Sequence, residues 1–260
     1  MWYERRLFMS RVMRGTSLSL LCCMLATVAW GAEPPAPPLD VPSPPGQAPG
    51  GDAFGPAGPV GQTIARVLMN RALAEEKISG LTVDVGGGRH PDYFSYLQVA
   101  PDTRIEPLDL SMSDIDLEKD ALPYASASVD TVLMCNILEH IYHHQHLLTE
   151  AWRVLRPEGS LIGFVPFWVG YHPDPHDYFR YTDEALHKLL DEAGFVGIEV
   201  KRVGRGPFIA NFNTIMLSFP RVVRPFLYLW YAGLDCLFMW LRPNSVKRFP
   251  LGYVFMATLP

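Results

Sequence analysis

The stretch Leu81-Thr-Val-Asp-Val-Gly-Gly-Gly-Arg89 constrains this chain more than any other. Leu81, Val83 and Val85 make a short apolar run, and three consecutive glycines follow at once. Such a run reads as a buried strand. Glycines after it let the backbone turn sharply and approach a ligand with no side chain in the way. Strands that run into glycine-rich turns commonly cradle nucleotides. The dinucleotide fingerprint G-x-G-x-x-G uses its third glycine for close packing of helix on strand. Counted from Gly86 and Gly88, that position is Pro91, which fits poorly. Asp84, two residues before the first glycine, has no place in that fingerprint either.

The chain beyond this turn alternates as a doubly wound α/β sheet should. Thr63 opens a helix predicted to run to about Ile78, with Ile64, Val67, Leu68 and Leu73 on one face. Seven strands are predicted. They are Leu81–Val85, Arg104–Asp109, a short piece at Ile115–Leu117, Val129–Met134, Ser160–Val165, Gly197–Val203 and one near Tyr253–Ala257. A helix from about His144 to Leu155 follows the fourth strand, and Pro157-Glu-Gly159 reads as a turn before the fifth. Thr182 caps a further helix, Asp183–Ala193, which Gly194 stops.

The ends of the chain differ from this body. Residues 1–32 carry Arg5, Arg6, Arg11 and Arg14 ahead of an apolar run from about Leu18 to Trp30, the pattern of a signal-like or anchor segment. That run is shorter than the roughly 20 apolar residues of a comfortable membrane span. A mis-set start codon is the competing explanation. Residues 33–61 hold ten of the 24 prolines, which reads as a disordered linker. Residues 62–260 then form the folded domain. The net charge of −5 hides an asymmetry, because residues 33–200 carry −15 while residues 201–248 carry +7. So acidic a body argues against nucleic acid as partner. The four cysteines, two of them adjacent (Cys22 and Cys23), give neither a disulfide framework nor zinc spacing.

Six blocks stand in a distinctive order. They are Val83-Asp-Val-Gly-Gly-Gly88, Asp116-Leu-Glu-Lys-Asp-Ala-Leu-Pro-Tyr124, Ser128-Val-Asp-Thr-Val132, Asn136-Ile-Leu-Glu-His140, Glu150-Ala-Trp-Arg-Val-Leu-Arg-Pro-Glu-Gly159 and Glu192-Ala-Gly-Phe195. In this order and at this spacing they resemble the type 11 class I S-adenosylmethionine (SAM)-dependent methyltransferases, a group that includes quinone-biosynthesis enzymes. The resemblance covers about residues 81 to 200. It implies a Rossmann-like, seven-stranded, mostly parallel sheet and SAM as cofactor.

Residue by residue, the resemblance implies the following roles. Gly86 and Gly88 let the loop meet the carboxypropyl end of SAM. Asp84 lies near the methionine amino group, directly or through water. Asp109 accepts both ribose hydroxyls, having two acceptor oxygens at a strand end. Asp116 accepts the adenine amine and the Leu117 backbone meets the ring edge, with Glu118 or Asp120 as alternatives to Asp116. Asn136 sits beside the methionine moiety. Arg89-His-Pro91 departs from the family, where a third glycine is common.

A sulfonium methyl is already electrophilic, so transfer needs mainly alignment, and a hydroxyl acceptor needs a base as well. The segment Tyr171–Thr182 follows the fifth strand, at the edge where such sheets bind ligands. It is expected to form a lid over the acceptor, with His176 or Asp177 as base. The alternative is a loop stiffened by Pro173 and Pro175 and salt-bridged to Arg180. His172, Asp174 and His176 lack a matched fourth metal ligand, so no metal is assigned. His140, His143, His144 and His146 are expected to cap and solvate a strand-to-helix turn, His140 near the acceptor.

Residues 206–248 stand outside the minimal fold. Aromatics from Phe208 to Trp240 are interleaved with apolar residues and flanked by Arg221, Arg224, Arg242, Lys247 and Arg248. The helix between Pro225 and Pro243 is too short to span a bilayer comfortably. Two readings compete, a roof over the acceptor pocket and an element lying in the membrane interface, with the second favoured. The resulting expectation is O-methylation of a small-molecule, glycan or lipid-linked acceptor at the inner face of the membrane, where SAM is available. The rivals are C-methylation of a prenylated quinone and a SAM-binding, membrane-tethered protein without turnover.

Overall fold

The computed structural model describes residues 62–88, 91–108 and 115–260. The expected leader (1–32), linker (33–61) and Asp109 lie outside these residues.

Thr63 opens α1 (Ile64–Leu73) by accepting the Arg66 amide on its hydroxyl at 3.2 Å. The helix ends at Leu73, short of the predicted Ile78. Lys77–Ile78 forms β1 instead and pairs in parallel with β3 (Gln98–Val99). Tertiary packing decides this boundary, because Ile78 is fully buried in one cluster with Leu73, Tyr93 and Leu97.

The main sheet holds β2 (Leu81–Val85), β4 (Arg104–Leu108), β5 (Val129–Cys135), β6 (Leu155–Pro166), β7 (Val196–Val203) and β8 (Gly252–Thr258). Its order is β4-β2-β5-β6-β8-β7, parallel except for β8, which runs against both neighbours. Among the described residues this sheet has six strands, not seven. The predicted piece at Ile115–Leu117 is part of a turn. There Asp116 Oδ1 accepts the Glu118 amide at 3.0 Å and Asp120 Oδ2 accepts the Asp116 amide at 2.8 Å. Carboxylates that hydrogen-bond the nearby backbone offer it an alternative to a strand ladder. The predicted turn at Pro157–Gly159 lies within β6 and coincides with a register shift against β5.

Side chains alternate between two layers, as strand geometry requires. Val83, Val85, Val132, Met134, Leu161, Val165 and Phe255 face one way. There they meet α2 (His144–Val154) through Leu147, Leu148 and Ala151, and α3 (Asp183–Glu192) through Leu186 and Leu190. Leu133, Cys135, Ile162, Phe164 and Val254 face the other way and pack on Met69 and Leu73 of α1. The chain lays β4 on one side of β2 and then crosses to β5 on the other. A crevice at such a reversal, beyond the carboxyl ends of the strands, is where open α/β sheets bind ligands.

Residues 206–248 fold as α4 (Pro207–Ile215) and α5 (Arg224–Leu241), joined and followed by short 3-10 turns. Phe212 stacks on Tyr231 with ring centroids 4.8 Å apart, and Asn213 Oδ1 accepts the Ala65 amide at the start of α1. One face of α5 is therefore packed. On the other, Phe226, Leu229, Trp230, Leu237, Trp240 and Leu241 are between 49% and 70% exposed, at helical spacing. No helix among the described residues is long and apolar enough to cross a membrane.

Candidate active site

The glycine turn leaves β2 at the sheet's point of reversal. Gly86 and Gly88 have φ of +79° and +73°, which glycine adopts without strain. A β-carbon on Gly86 would fall 2.5 Å from Cδ1 of Ile137, so the turn lies hard against the segment that leaves β5. Beneath it is Asp84, fully buried, whose Oδ1 accepts the Tyr93 hydroxyl at 2.6 Å. Tyr93 was not foreseen, since nothing in the sequence ties it to Asp84. Burial first, with Cys135 and Asp84 adding to it, pushes its hydroxyl far above the usual tyrosine range, so it stays a donor.

Asn136 stands at the end of β5 with φ of +56°, a left-handed conformation that Asn tolerates better than most residues. Its backbone amide donates to Phe164 O at 2.8 Å, and its side-chain amide lies 3.5 Å from Met69 Sδ. Gly86 and Asn136, both expected at the methionine end of SAM, are neighbours in the fold, since Gly86 packs on Ile137. Asp109 is not described. Leu108, the residue before it, pairs with Val85 at the carboxyl end of β4.

The three carboxylates left open for adenine separate clearly. Glu118 accepts the Tyr142 and His143 amides at 2.7 and 2.8 Å, and Asp120 accepts the Asp116 amide. All three are half-buried, and Asp116 is the one paired with Lys119, at 2.7 Å. That contact, helped by the Glu118 amide, holds its carboxyl below the usual range. Leu117 buries its side chain in the core, which leaves only its backbone for a ligand.

The Asn136–His140 block continues into a 3-10 turn, Leu138–His140, and the segment after β6 folds down on it. Tyr178 and Phe179 donate their amides to Glu139 O at 2.8 and 3.3 Å, and the Tyr181 hydroxyl donates to Leu138 O at 3.1 Å. Asp177, expected as a base, is a clip instead. Its two oxygens lie 2.5 and 2.7 Å from Arg180 Nη1 and Nη2, and Oδ2 also takes the His172 amide at 3.0 Å. Arg180 holds this carboxyl well below the usual range, which makes it a poor proton acceptor. His176 leaves its ring exposed, tilted on Tyr178 with centroids 5.2 Å apart.

What the lid does bring together is His140, Glu139 and His172. Glu139 is fully buried, and neither carboxylate oxygen has a hydrogen-bond partner. His140 Nε2 lies 3.7 Å from Glu139 Oε1 and His172 Nε2 lies 3.8 Å from the same oxygen. The rings meet edge to face at 5.3 Å. The Glu139 carboxylate raises the His172 pKa above its ordinary value, against the opposing effect of burial. His143, His144 and His146 point elsewhere, lining a cleft of about 790 Å³ with Glu118, Lys119 and Phe179. Neither the glycine turn nor Glu139 lines that cleft.

Other residues of the six blocks hold this arrangement in place. Asp130 accepts the Leu81 amide at 2.6 Å and pairs with Arg156 at 2.7 Å, fixing the start of β2. Glu150 accepts the Leu122 amide at 2.8 Å, and Arg153 donates to the Leu122 and Tyr124 carbonyls. This pair anchors the loop that carries Asp116. Gly194 packs on the Trp152 indole with φ of +90°.

Comparison with known proteins places a sequence match in the middle of this sheet. Residues 95–163 match a family model described as a methyltransferase domain. An uncharacterized methyltransferase of Mycolicibacterium vanbaalenii is 33% identical over 125 residues, 42% of this chain and 48% of that protein. A Mycobacterium tuberculosis protein named a probable S-adenosylmethionine-dependent methyltransferase is 30% identical over 98 residues, 35% of this chain and 36% of that protein. The chain therefore spans about half or less of the length of these curated relatives. A solved SAM-dependent methyltransferase from Archaeoglobus fulgidus superposes with a TM-score of 0.44 at 14% identity, over 74% of this chain and 94% of that one. So loose a likeness carries no functional argument. With a sheet that reverses beside a glycine turn and one antiparallel strand near its edge, the chain is similar over residues 95–163 to a methyltransferase domain, and its relatives carry the name of SAM-dependent methyltransferases.

Proposed function

We propose that this chain moves the methyl group of SAM to a hydroxyl of a glycan or lipid-linked acceptor at a membrane surface. The observation that carries the proposal is the contact between Gly86 and Ile137. It sets the cofactor turn against the segment that continues directly into Glu139 and His140. Donor methyl and acceptor would then meet over the carboxyl ends of β2 and β5. There His140, Glu139 and His172 are the groups available to take the acceptor's proton. Asp109 and Asp116 are the ribose and adenine partners in this scheme. The transfer itself balances simply. The acceptor oxygen bonds the methyl carbon, the carbon–sulfur pair returns to sulfur, and the hydroxyl proton leaves to the cluster.

The membrane side of the proposal rests on α5. Its exposed apolar face lies between Arg221 and Arg224 at one end and Arg242, Lys247 and Arg248 at the other. Apolar side chains at headgroup depth flanked by cations fit an anionic lipid surface. The segment adjoins the start of the lid, since Trp168 meets Phe249 at 6.0 Å and the Phe167 amide donates to Leu251 O at 2.8 Å. A lipid-linked acceptor would reach the crevice from that side. Mass spectrometry of lipid and glycan extracts from a deletion strain tests the proposal. A methyl-bearing species that disappears, with its unmethylated form accumulating, supports it, and unchanged extracts reject it.

A further inference from the structure

The hydrogen-bond roles around Glu139 leave three acceptors facing one another. His140 Nδ1 lies 2.5 Å from His176 O, and a carbonyl only accepts, so Nδ1 carries the hydrogen. His172 Nδ1 lies 2.9 Å from Gly170 O, which fixes the same tautomer there. Arg180 Nη2 approaches that same Nδ1 at 3.4 Å, too long to compete with the carbonyl. While the rings are neutral, both Nε2 atoms therefore turn lone pairs toward Glu139 Oε1, at 3.7 and 3.8 Å. The carboxylate is fully buried, without a hydrogen-bond donor to either oxygen. An unpartnered buried carboxylate is costly, and three converging lone pairs call for a cation.

We propose that Glu139, His140 and His172 bind a divalent transition-metal ion of the zinc class. One atom from each residue fits within 4.8 Å of the others, and no ion is present. A tetrahedral zinc with bonds of about 2.1 Å spaces its ligand atoms by about 3.4 Å, so small side-chain shifts close the site. Two imidazoles with one carboxylate is an established catalytic zinc set, and it also suits other imidazole-preferring ions. The outer shell is of the kind metal-binding histidines use, each ring donating its far N–H to a backbone carbonyl. His172 is 42% exposed, while Glu139 and His140 are 0% and 7%, so the open coordination position lies on the His172 side. Because His172 comes from the lid and the other two from the turn after β5, the ion would also fasten the lid. If the acceptor is a hydroxyl, its oxygen would become a further ligand, and its proton would pass to solvent before methyl transfer in place of passing to the three side chains, whose lone pairs the ion would occupy. That last role rests on the proposed function, and the binding site does not.

The test is a titration of tag-free, chelator-stripped full chain with zinc, read by calorimetry and by competition with a chromophoric chelator. SAM affinity is measured alongside as a check of the fold. One equivalent is expected. Glu139→Gln, which keeps the shape of the side chain, and His172→Ala should each weaken binding beyond the roughly 10–100-fold typical of losing an outer-shell partner. His143→Ala should not. SAM affinity should stay within about twofold in all three. Absence of stoichiometric zinc binding, or equal binding in Glu139→Gln, overturns the site and leaves a proton between Glu139 and His172. Neither result bears on whether methyl transfer occurs, which is read separately from labelled SAM.

Discussion

Asp235, in the middle of α5, accepts the amide of Ile209 at 2.9 Å and thereby caps a different helix, α4. Its other oxygen takes the Phe208 amide at 2.9 Å, and Gly206 leaves the room this needs. A carboxylate within an apolar helix is thus turned inward, onto a helix N-terminus. Burial still raises its pKa, with the two amides opposing. Replacing it with Ala orphans both donors, so Asp235→Ala should lose about 1–3 kcal/mol of stability in urea unfolding. Asp235→Asn, which keeps one acceptor oxygen of the two, should lose about half as much. Equal loss in both variants would show that charge, not capping, is what matters there.

The Glu150–Arg153 pair predicts an acid limb of stability. Its contact with Arg153 comes first in depressing the Glu150 pKa, burial opposes, and the Leu122 amide assists. A carboxyl whose folded pKa is depressed stabilises the fold above its unfolded value of about 4.3, and that contribution is lost as pH falls through the folded value. Glu150→Gln should flatten the stability profile below about pH 4.3. It should also weaken SAM binding several-fold, because the loop carrying Asp116 loses its anchor. An unchanged acid limb would contradict the assignment.

For turnover, the lid geometry sets Glu139 and His140 apart from His176 and Asp177. Glu139→Gln should lower methyl transfer roughly 10²–10⁴-fold with SAM affinity intact. His176→Ala should cost less than about tenfold, since its ring is exposed and only its carbonyl is engaged. The reverse ranking would return the base to the lid.

Lipid contact is read by flotation. The chain truncated to residues 62–260 should float with anionic liposomes, and be released by high salt or when Arg221, Arg224 and Arg242 are changed to Gln. Failure to float with anionic or neutral liposomes would reduce 206–248 to packing over α1.

The sequence made six strands of the sheet legible because most are short runs rich in apolar residues, and neighbouring motifs fixed their order. The six blocks were legible too, but many of their residues prove to be scaffolding: Asp130 holds the start of β2, Glu150 and Arg153 hold the Asp116 loop, and Gly194 makes room for Trp152. Spacing cannot separate such residues from those that touch a ligand. The Ile115–Leu117 piece misled because local carboxylate bonds outcompete a weak strand. Asp177 misled because its partner, Arg180, was visible in the sequence while its saturation by donors was not. Glu139 and His172 were missed as a pair because only the folded lid brings them together.

The central claim is tested most directly by supplying the purified chain with SAM labelled on its methyl group and an extract of membrane lipids and glycans. Label should move into a lipid or glycan fraction. With Asp109→Ala, SAM affinity should fall by about 2–4 kcal/mol, the size of two charge-assisted hydrogen bonds to ribose, and transfer should fall with it. A chain that binds SAM yet moves no label into any fraction would contradict the account, leaving a SAM-binding protein without turnover.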